Sequence, residues 1–215
     1  MNLYIIRHGE SIWNKENKIQ GAKNPGLSGL GRLQARLLAG RFSKIKIDRI
    51  YSSPLKRSHQ TAKMISKAVK LKIIKNAELS EIGLGEWEGR TPDEIDRLYH
   101  NKYKKWLKAG PTKIYIPGME RIGHFRKRVD RIMRSIIKDN KDKNNVIVVT
   151  HGGVIASFLA ACLKADFDRL ILGLRLENTC VTLVSFEKER GCLIHVADTL
   201  HLSPDRIKGV WPARY

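Results

Sequence analysis

The stretch Leu3-Tyr4-Ile5-Ile6-Arg7-His8-Gly9-Glu10-Ser11 joins an apolar, β-branched run to an arginine, a histidine and a glycine. The run reads as a buried strand, and the glycine lets the backbone turn sharply where the strand ends. In an open α/β sheet, ligands bind in the crevice outside the carboxyl ends of the strands. An arginine beside a histidine at that edge suits phosphate: the guanidinium neutralises the anion while a neutral imidazole attacks phosphorus. Taken alone, an Arg-His pair at a strand end is equally a plain polar turn.

Two further segments repeat the design. Ile47 to Tyr51 is a short apolar strand followed by Ser52, Ser53 and Pro54, and proline suits the first turn of a helix. Arg57 then falls within that turn, where backbone N–H groups and the helix dipole favour an anion. Val146 to Val149 is a near-continuous β-branched run of the fully buried kind, followed by Thr150, His151, Gly152, Gly153 and an apolar helix. Three strand ends thus present Arg7 with His8, Arg57, and His151.

The motifs RHGES, SSPLKRSHQTA, LSEIGLGEWEG and VTHGG, in this order from Leu3 to about Phe186, resemble the histidine phosphatase superfamily, also called phosphoglycerate mutase-like. The resemblance implies an α/β fold: a three-layer sandwich with a central, largely parallel sheet and a small helical insertion over the site. It implies one domain over residues 1–215, with a variable helical lid segment at about 84–128. By the same resemblance His8 is the nucleophile, Glu81 the acid, and Arg7, Arg57 and His151 the phosphate pocket. Glu88 is the runner-up for the acid, since spacing alone does not single out Glu81. The opening RHGESIWNKENKIQG looks close to the mutases and makes Asn14, Gln20 and Gly21 candidates for substrate contact.

The chemistry is consistent in its own right. Phosphoryl transfer asks for positioning and for positive charge around the equatorial oxygens. Two arginines and a second histidine supply that charge, so no cofactor and no metal is expected. An attacking imidazole must be neutral on the nitrogen facing phosphorus, so its other nitrogen needs an acceptor, expected to be a backbone carbonyl. A carboxylic acid near phosphate and away from water tends to hold its proton, as a general acid must.

The middle of the chain, GEWEGRTPDEIDRLYHNKYKKWLKAGP and PGMERIGHFRKRV, looks like the phosphatase branch, as does LENTCVTLVSF. The expected activity is a metal-independent phosphomonoesterase working through a phosphohistidine, with alpha-ribazole 5′-phosphate of cobalamin synthesis as the substrate closest by resemblance. The alternatives are a cofactor-dependent phosphoglycerate mutase and a non-catalytic phospholigand-binding protein. Met119 and Arg121 depart from the glycine-glycine-glutamate-serine string of the phosphatases; Arg121 either contacts an anionic leaving group or faces water. His59, in a helix and two residues from Arg57, reads as a helix-face side chain.

Elsewhere, Ser28 caps an amphipathic helix with Leu30, Leu33, Leu37 and Leu38 inward. Thr91, Pro92, Asp93 and Glu94 form a capping box opening a helix to about Leu107. Another helix is predicted near Glu120 to Lys138, and a closing hairpin pairs Thr179–Phe186 with Leu193–Ala197 through a Lys188–Gly191 turn. The chain carries 41 Lys and Arg against 21 Asp and Glu, a formal +20. These cations occur in every segment, so the expectation is a solvation bias and non-specific polyanion binding, with a small phosphorylated substrate and no specific nucleic acid as partner. No stretch is long enough to span a bilayer, no signal peptide precedes the first strand, and Cys162, Cys180 and Cys192 read as reduced thiols of a cytoplasmic protein. The tail Gly209–Tyr215 (GVWPARY) leaves three readings open: packing on the core, covering the site, or forming a homodimer.

Overall fold

In the computed structural model, which describes residues 1–187 and 190–203, the three apolar runs are neighbouring parallel strands. They are β1 (Asn2–Arg7), β2 (Arg49–Ser52) and β4 (Asn145–Thr150), with β3 (Ile73–Lys75) outside β2. The hairpin β5 (Val181–Glu187) and β6 (Arg190–Asp198) completes a six-stranded sheet in the order β3-β2-β4-β1-β5-β6. Only β5 runs against the others. Two residues of the expected hairpin turn, 188 and 189, and the GVWPARY tail lie outside the described residues.

Register explains why the site forms where it does. Arg7 lies opposite Thr150, and Ser52 opposite Val149, so three strands end level at one edge of the sheet. Val146 to Val149 are wholly buried because β4 lies in the interior of the sheet with helices on both faces. On β1 the side chains alternate: Leu3 and Ile5 join one core and Ile6 the other.

The Ile6 side is covered by α2 (Gly29–Phe42) and α3 (Lys56–Val69). Ser28 caps α2 as expected, but of the four leucines only Leu38 is buried. The helix turns Gly31, Gln34, Ala35 and Phe42 inward and leaves Leu30, Leu33 and Leu37 half-buried. Close approach causes the rotation: a Cβ on Gly31 would stand 1.9 Å from the carbonyl oxygen of Glu10, so α2 rests on the turn that carries His8.

The Leu3 side holds α6 (Ile122–Asp139), the apolar α7 (Gly152–Cys162) and α8 (Phe167–Gly173), the last without a counterpart in the sequence reading. The helix expected from Thr91 to Leu107 is two: α4 (Pro92–Leu98), opened by the Thr91–Glu94 capping box, and α5 (Lys102–Ala109). His100 and Asn101 take positive φ between them, and Asp96 Oδ1 accepts the N–H groups of Tyr103 and Lys104 at the new helix start. Tyr103 and Trp106, three apart on α5, stack with ring centroids 5.9 Å apart beside Trp87. A short helix, α1 (Ile12–Lys15), follows Ser11. Among the described residues no helix is long and apolar enough to cross a membrane, and Cys162, Cys180 and Cys192 are free thiols.

Candidate active site

His8 leaves β1 already inside the protein, 3% exposed, with its backbone N–H bonded to Thr150 across the strand ends. Its Nδ1 lies 2.7 Å from the carbonyl oxygen of Gly9. A carbonyl only accepts, so Nδ1 carries the proton and the lone pair is on Nε2. Arg57 Nε donates to that Nε2 at 3.2 Å. Burial, then the neighbouring Arg57 and Arg7, hold the imidazole's pKa well below its ordinary value, so it is neutral near pH 7.

Arg57 projects inward from the first turn of α3, buried, with Nη1 on the carbonyl of Lys23 (2.7 Å) and Nη2 on that of Gly21 (2.8 Å). Arg7 donates through Nη1 to the carbonyl of Leu176. Burial lowers both guanidinium pKa values to about 10, which leaves them charged at neutral pH.

His151 follows β4 as His8 follows β1, and the two rings stand 5.2 Å apart. It is held by the other nitrogen: Nε2 meets Ser53 Oγ at 2.9 Å and Ser58 Oγ at 3.3 Å. Its buried Nδ1 has no hydrogen-bond partner among the described residues. Burial, Arg57 and the neighbouring His8 keep this ring neutral as well.

Glu81 is buried beside the start of α7, with Oε1 accepting from Ile82 N–H (3.0 Å) and Oε2 from Gly153 N–H (3.1 Å). Only glycine fits at 153, since a Cβ there would lie 2.4 Å from Glu81 Oε1. Burial raises the Glu81 pKa, against the two backbone bonds and the charges of Arg57 and Arg128. Glu88 is a structural carboxylate instead: its Oε1 accepts the N–H groups of Ala22 and Leu84 and pins the 84–88 segment to the 20–23 loop.

The structure brings Arg7, His8, Arg57, Glu81 and His151 together. Gly21 joins them through its carbonyl on Arg57. Asn14 and Gln20 sit one layer back: Ser11 Oγ donates to Gln20 Oε1 (2.7 Å), and Asn14 Oδ1 accepts the Ser11 N–H (3.1 Å). Asn178 bonds the carbonyl of His8 at 2.9 Å and stands 3.5 Å from Asn14. Arg121 is exposed and His59 half-buried on the outer side of α3.

Sequence reading missed the supports of the acid. Arg128, on α6, spends its guanidinium on the carbonyls of Glu78, Ser80 and Glu81 and on both oxygens of Glu120. It thereby fixes the loop that aims Glu81. Arg128 and Glu120 lay inside the quoted PGMERIGHFRKRV, but their pairing across the start of α6 is set only in three dimensions. Ser53 and Ser58 lay inside a quoted motif, but nothing in one dimension marks them as partners of His151.

Residues 3–199 match the histidine phosphatase superfamily (branch 1). Phosphoserine phosphatase 1 of Hydrogenobacter thermophilus is 31% identical over 94% of this chain and 94% of its own. Among solved structures, a phosphoserine phosphatase mutant from Entamoeba histolytica in complex with phosphoserine superposes with a TM-score of 0.81 at 29% identity, covering 94% of this chain and 99% of that one. The alpha-ribazole phosphatase from Shigella flexneri also reaches 0.81, over 93% and 97% of the two chains, but at 23% identity it shares the fold alone. The chain therefore belongs to the histidine phosphatase superfamily, branch 1. It is a phosphoric monoester hydrolase of that superfamily.

Proposed function

We propose that the enzyme works through a phosphohistidine on His8 Nε2, without a metal ion, and acts on a small phosphomonoester of an aliphatic alcohol. The observation that carries the reading is the tethering of His8 through Nδ1, which leaves the Nε2 lone pair facing the guanidinium that would hold the phosphate. In the first step Nε2 attacks phosphorus, the bond from phosphorus to the ester oxygen breaks, and Glu81 gives its proton to the departing alkoxide. In the second, water attacks the phosphohistidine, its proton goes to Glu81, and His8 leaves as the neutral imidazole. Arg7 and Arg57 neutralise the equatorial oxygens and His151 hydrogen-bonds them in both steps. The raised pKa of Glu81 keeps the acid protonated at pH values where an ordinary carboxyl has ionised.

Phosphoserine ranks ahead of alpha-ribazole 5′-phosphate, because the phosphoserine phosphatase relatives are alike in sequence as well as fold, and a link to cobalamin synthesis has only the shared fold behind it. The mutase reading rests on the opening segment and on relatives such as phosphoglycerate mutase-like protein 4 of Arabidopsis thaliana. Phosphate release with chelator present, from phosphoserine, alpha-ribazole 5′-phosphate, 3-phosphoglycerate, sugar phosphates and nucleotides, tests the proposal. Efficient release from phosphoserine is expected. Isomerisation of 3-phosphoglycerate that outpaces all hydrolysis, once bisphosphoglycerate is added, would overturn it in favour of the mutase.

A further inference from the structure

The positive charge is not spread evenly. Between Asn17 and Ala77 the sequence holds fifteen Lys and Arg and a single acid, Asp48, which accounts for 14 of the formal +20. The remainder holds 26 cations against 20 acids, including a second basic stretch, Lys102 to Lys143, with fourteen cations against four acids. Folding turns this stretch into one layer, because α2 and α3 pack side by side over the same face of the sheet, with β3 at its edge. Arg32 and Arg36 stand one turn apart on the outer side of α2; Lys63 and Lys67 line the outer side of α3 and Lys70 follows its last residue; Lys75 ends β3. All six are exposed, and none forms an ion pair among the described residues. Burial first, then the charges of Lys63 and Lys75, lowers the pKa of His59 on the outer side of α3.

Among the described residues, two acids at the margins of this layer are already engaged. Asp48 is occupied by the N–H groups of Asn144 and Asn145, and Asp198 by Arg41. On α6, in the opposite layer, Arg128 pairs with Glu120, Arg131 with Glu78 and Arg134 with Asp130, while Arg126, Lys127 and Lys138 form no ion pair among the described residues. Unpaired like charges within a Debye length repel one another, and a polyanion relieves that repulsion.

We infer that the α2–α3 layer is a docking face for the phosphate backbone of a nucleic acid duplex, read by charge and shape without base contacts. An anionic membrane fits poorly, since neither helix exposes a large apolar residue to insert. A single strand fits poorly too: the stretch has two aromatics, Phe42 and Tyr51, both buried, so no platform exists for stacking bases. Rows of cations at helical spacing match the rails of a duplex. Arg57 points inward from α3 while Lys63, Lys67 and Lys70 point outward, so an occupied face leaves the phosphatase site open.

Fluorescence anisotropy with a 20-base-pair DNA duplex carrying 5′-hydroxyl ends, titrated across a salt series, tests this. Six phosphate contacts give a slope of log affinity on log salt of roughly −5. The triple variant Lys63→Glu, Lys67→Glu, Lys70→Glu is expected to flatten that slope by about 3 and to weaken binding more than tenfold in dilute salt. Its thermal midpoint and its turnover of p-nitrophenyl phosphate should match the parent, and the midpoint serves alone if turnover is absent. An unchanged slope in the triple variant overturns the inference. So does tighter binding of a single strand, of phosphatidylserine vesicles or of inorganic polyphosphate at equal phosphate. A duplex RNA arm names which nucleic acid is preferred.

Discussion

His8 and His151 end two strands that pair in register, and both rings are buried and neutral, yet they are tied down by opposite nitrogens. His8 is held at Nδ1 by a carbonyl, which obliges Nε2 to carry the lone pair. His151 is held at Nε2 by serine hydroxyls and leaves Nδ1 without a partner. When the Ser53 hydroxyl donates to Nε2, Nδ1 bears a proton for a phosphoryl oxygen. On the proposed mechanism the same side chain at equivalent strand ends serves as a nucleophile in one place and a hydrogen-bond donor in the other. What separates the roles is the partner, not the residue.

The largest test of that division is His8→Ala. It removes the attacking atom, and turnover should fall by about 10⁴-fold or more, with no phosphoenzyme trapped by acid quench. Residual phosphoenzyme in this variant would make His151 a second nucleophile and dissolve the comparison. Glu81→Gln is expected to cost about 10³-fold on phosphoserine and far less on p-nitrophenyl phosphate, whose leaving group needs no proton. The parent should lose activity toward alkyl phosphates as pH rises through the elevated pKa of Glu81, because only the protonated acid donates. A glutamine cannot titrate, so an alkaline limb that survives in Glu81→Gln assigns the acid elsewhere.

His151→Ala should cost about 10²-fold, the usual effect of removing one donor to developing charge, while phosphoenzyme still forms. A loss as large as that of His8→Ala would contradict the assigned roles. The smallest effect is expected for Ser53→Ala. Loss of one hydrogen bond at about 1 kcal/mol corresponds to roughly fivefold, with the fold intact by thermal melt. Wild-type activity there would mean that the serine does not set the His151 proton.

Much of this was legible in one dimension. A β-branched run ending in RHG or THGG announces a buried strand with polar residues at its carboxyl edge, because burial demands apolar side chains and the turn demands glycine. The Ser28 cap and the Thr91 capping box were equally readable, since they depend on residues three or four apart. The failures occurred where a distant contact overrides a local pattern. The leucines of α2 gave way to small residues because Gly31 lies against Glu10, and the 92–109 helix broke where Asp96 could satisfy the N–H groups of a new helix start.

By itself, the sequence determined the buried core strands, the ends that carry Arg7, His8, Arg57 and His151, and a net charge that is strongly positive. Local physics suffices for those, because strand burial, turn chemistry and charge are properties of short segments. Only the tertiary structure decided which nitrogen of each histidine is tethered to a carbonyl or a hydroxyl, which carboxylate among Glu78, Glu81, Glu86 and Glu88 is buried at the site, and that Arg128 holds its loop. It also decided that six exposed cations between Arg32 and Lys75 share one layer. Those outcomes depend on hydrogen bonds and packing between residues far apart in the chain, and no spacing along the chain encodes them.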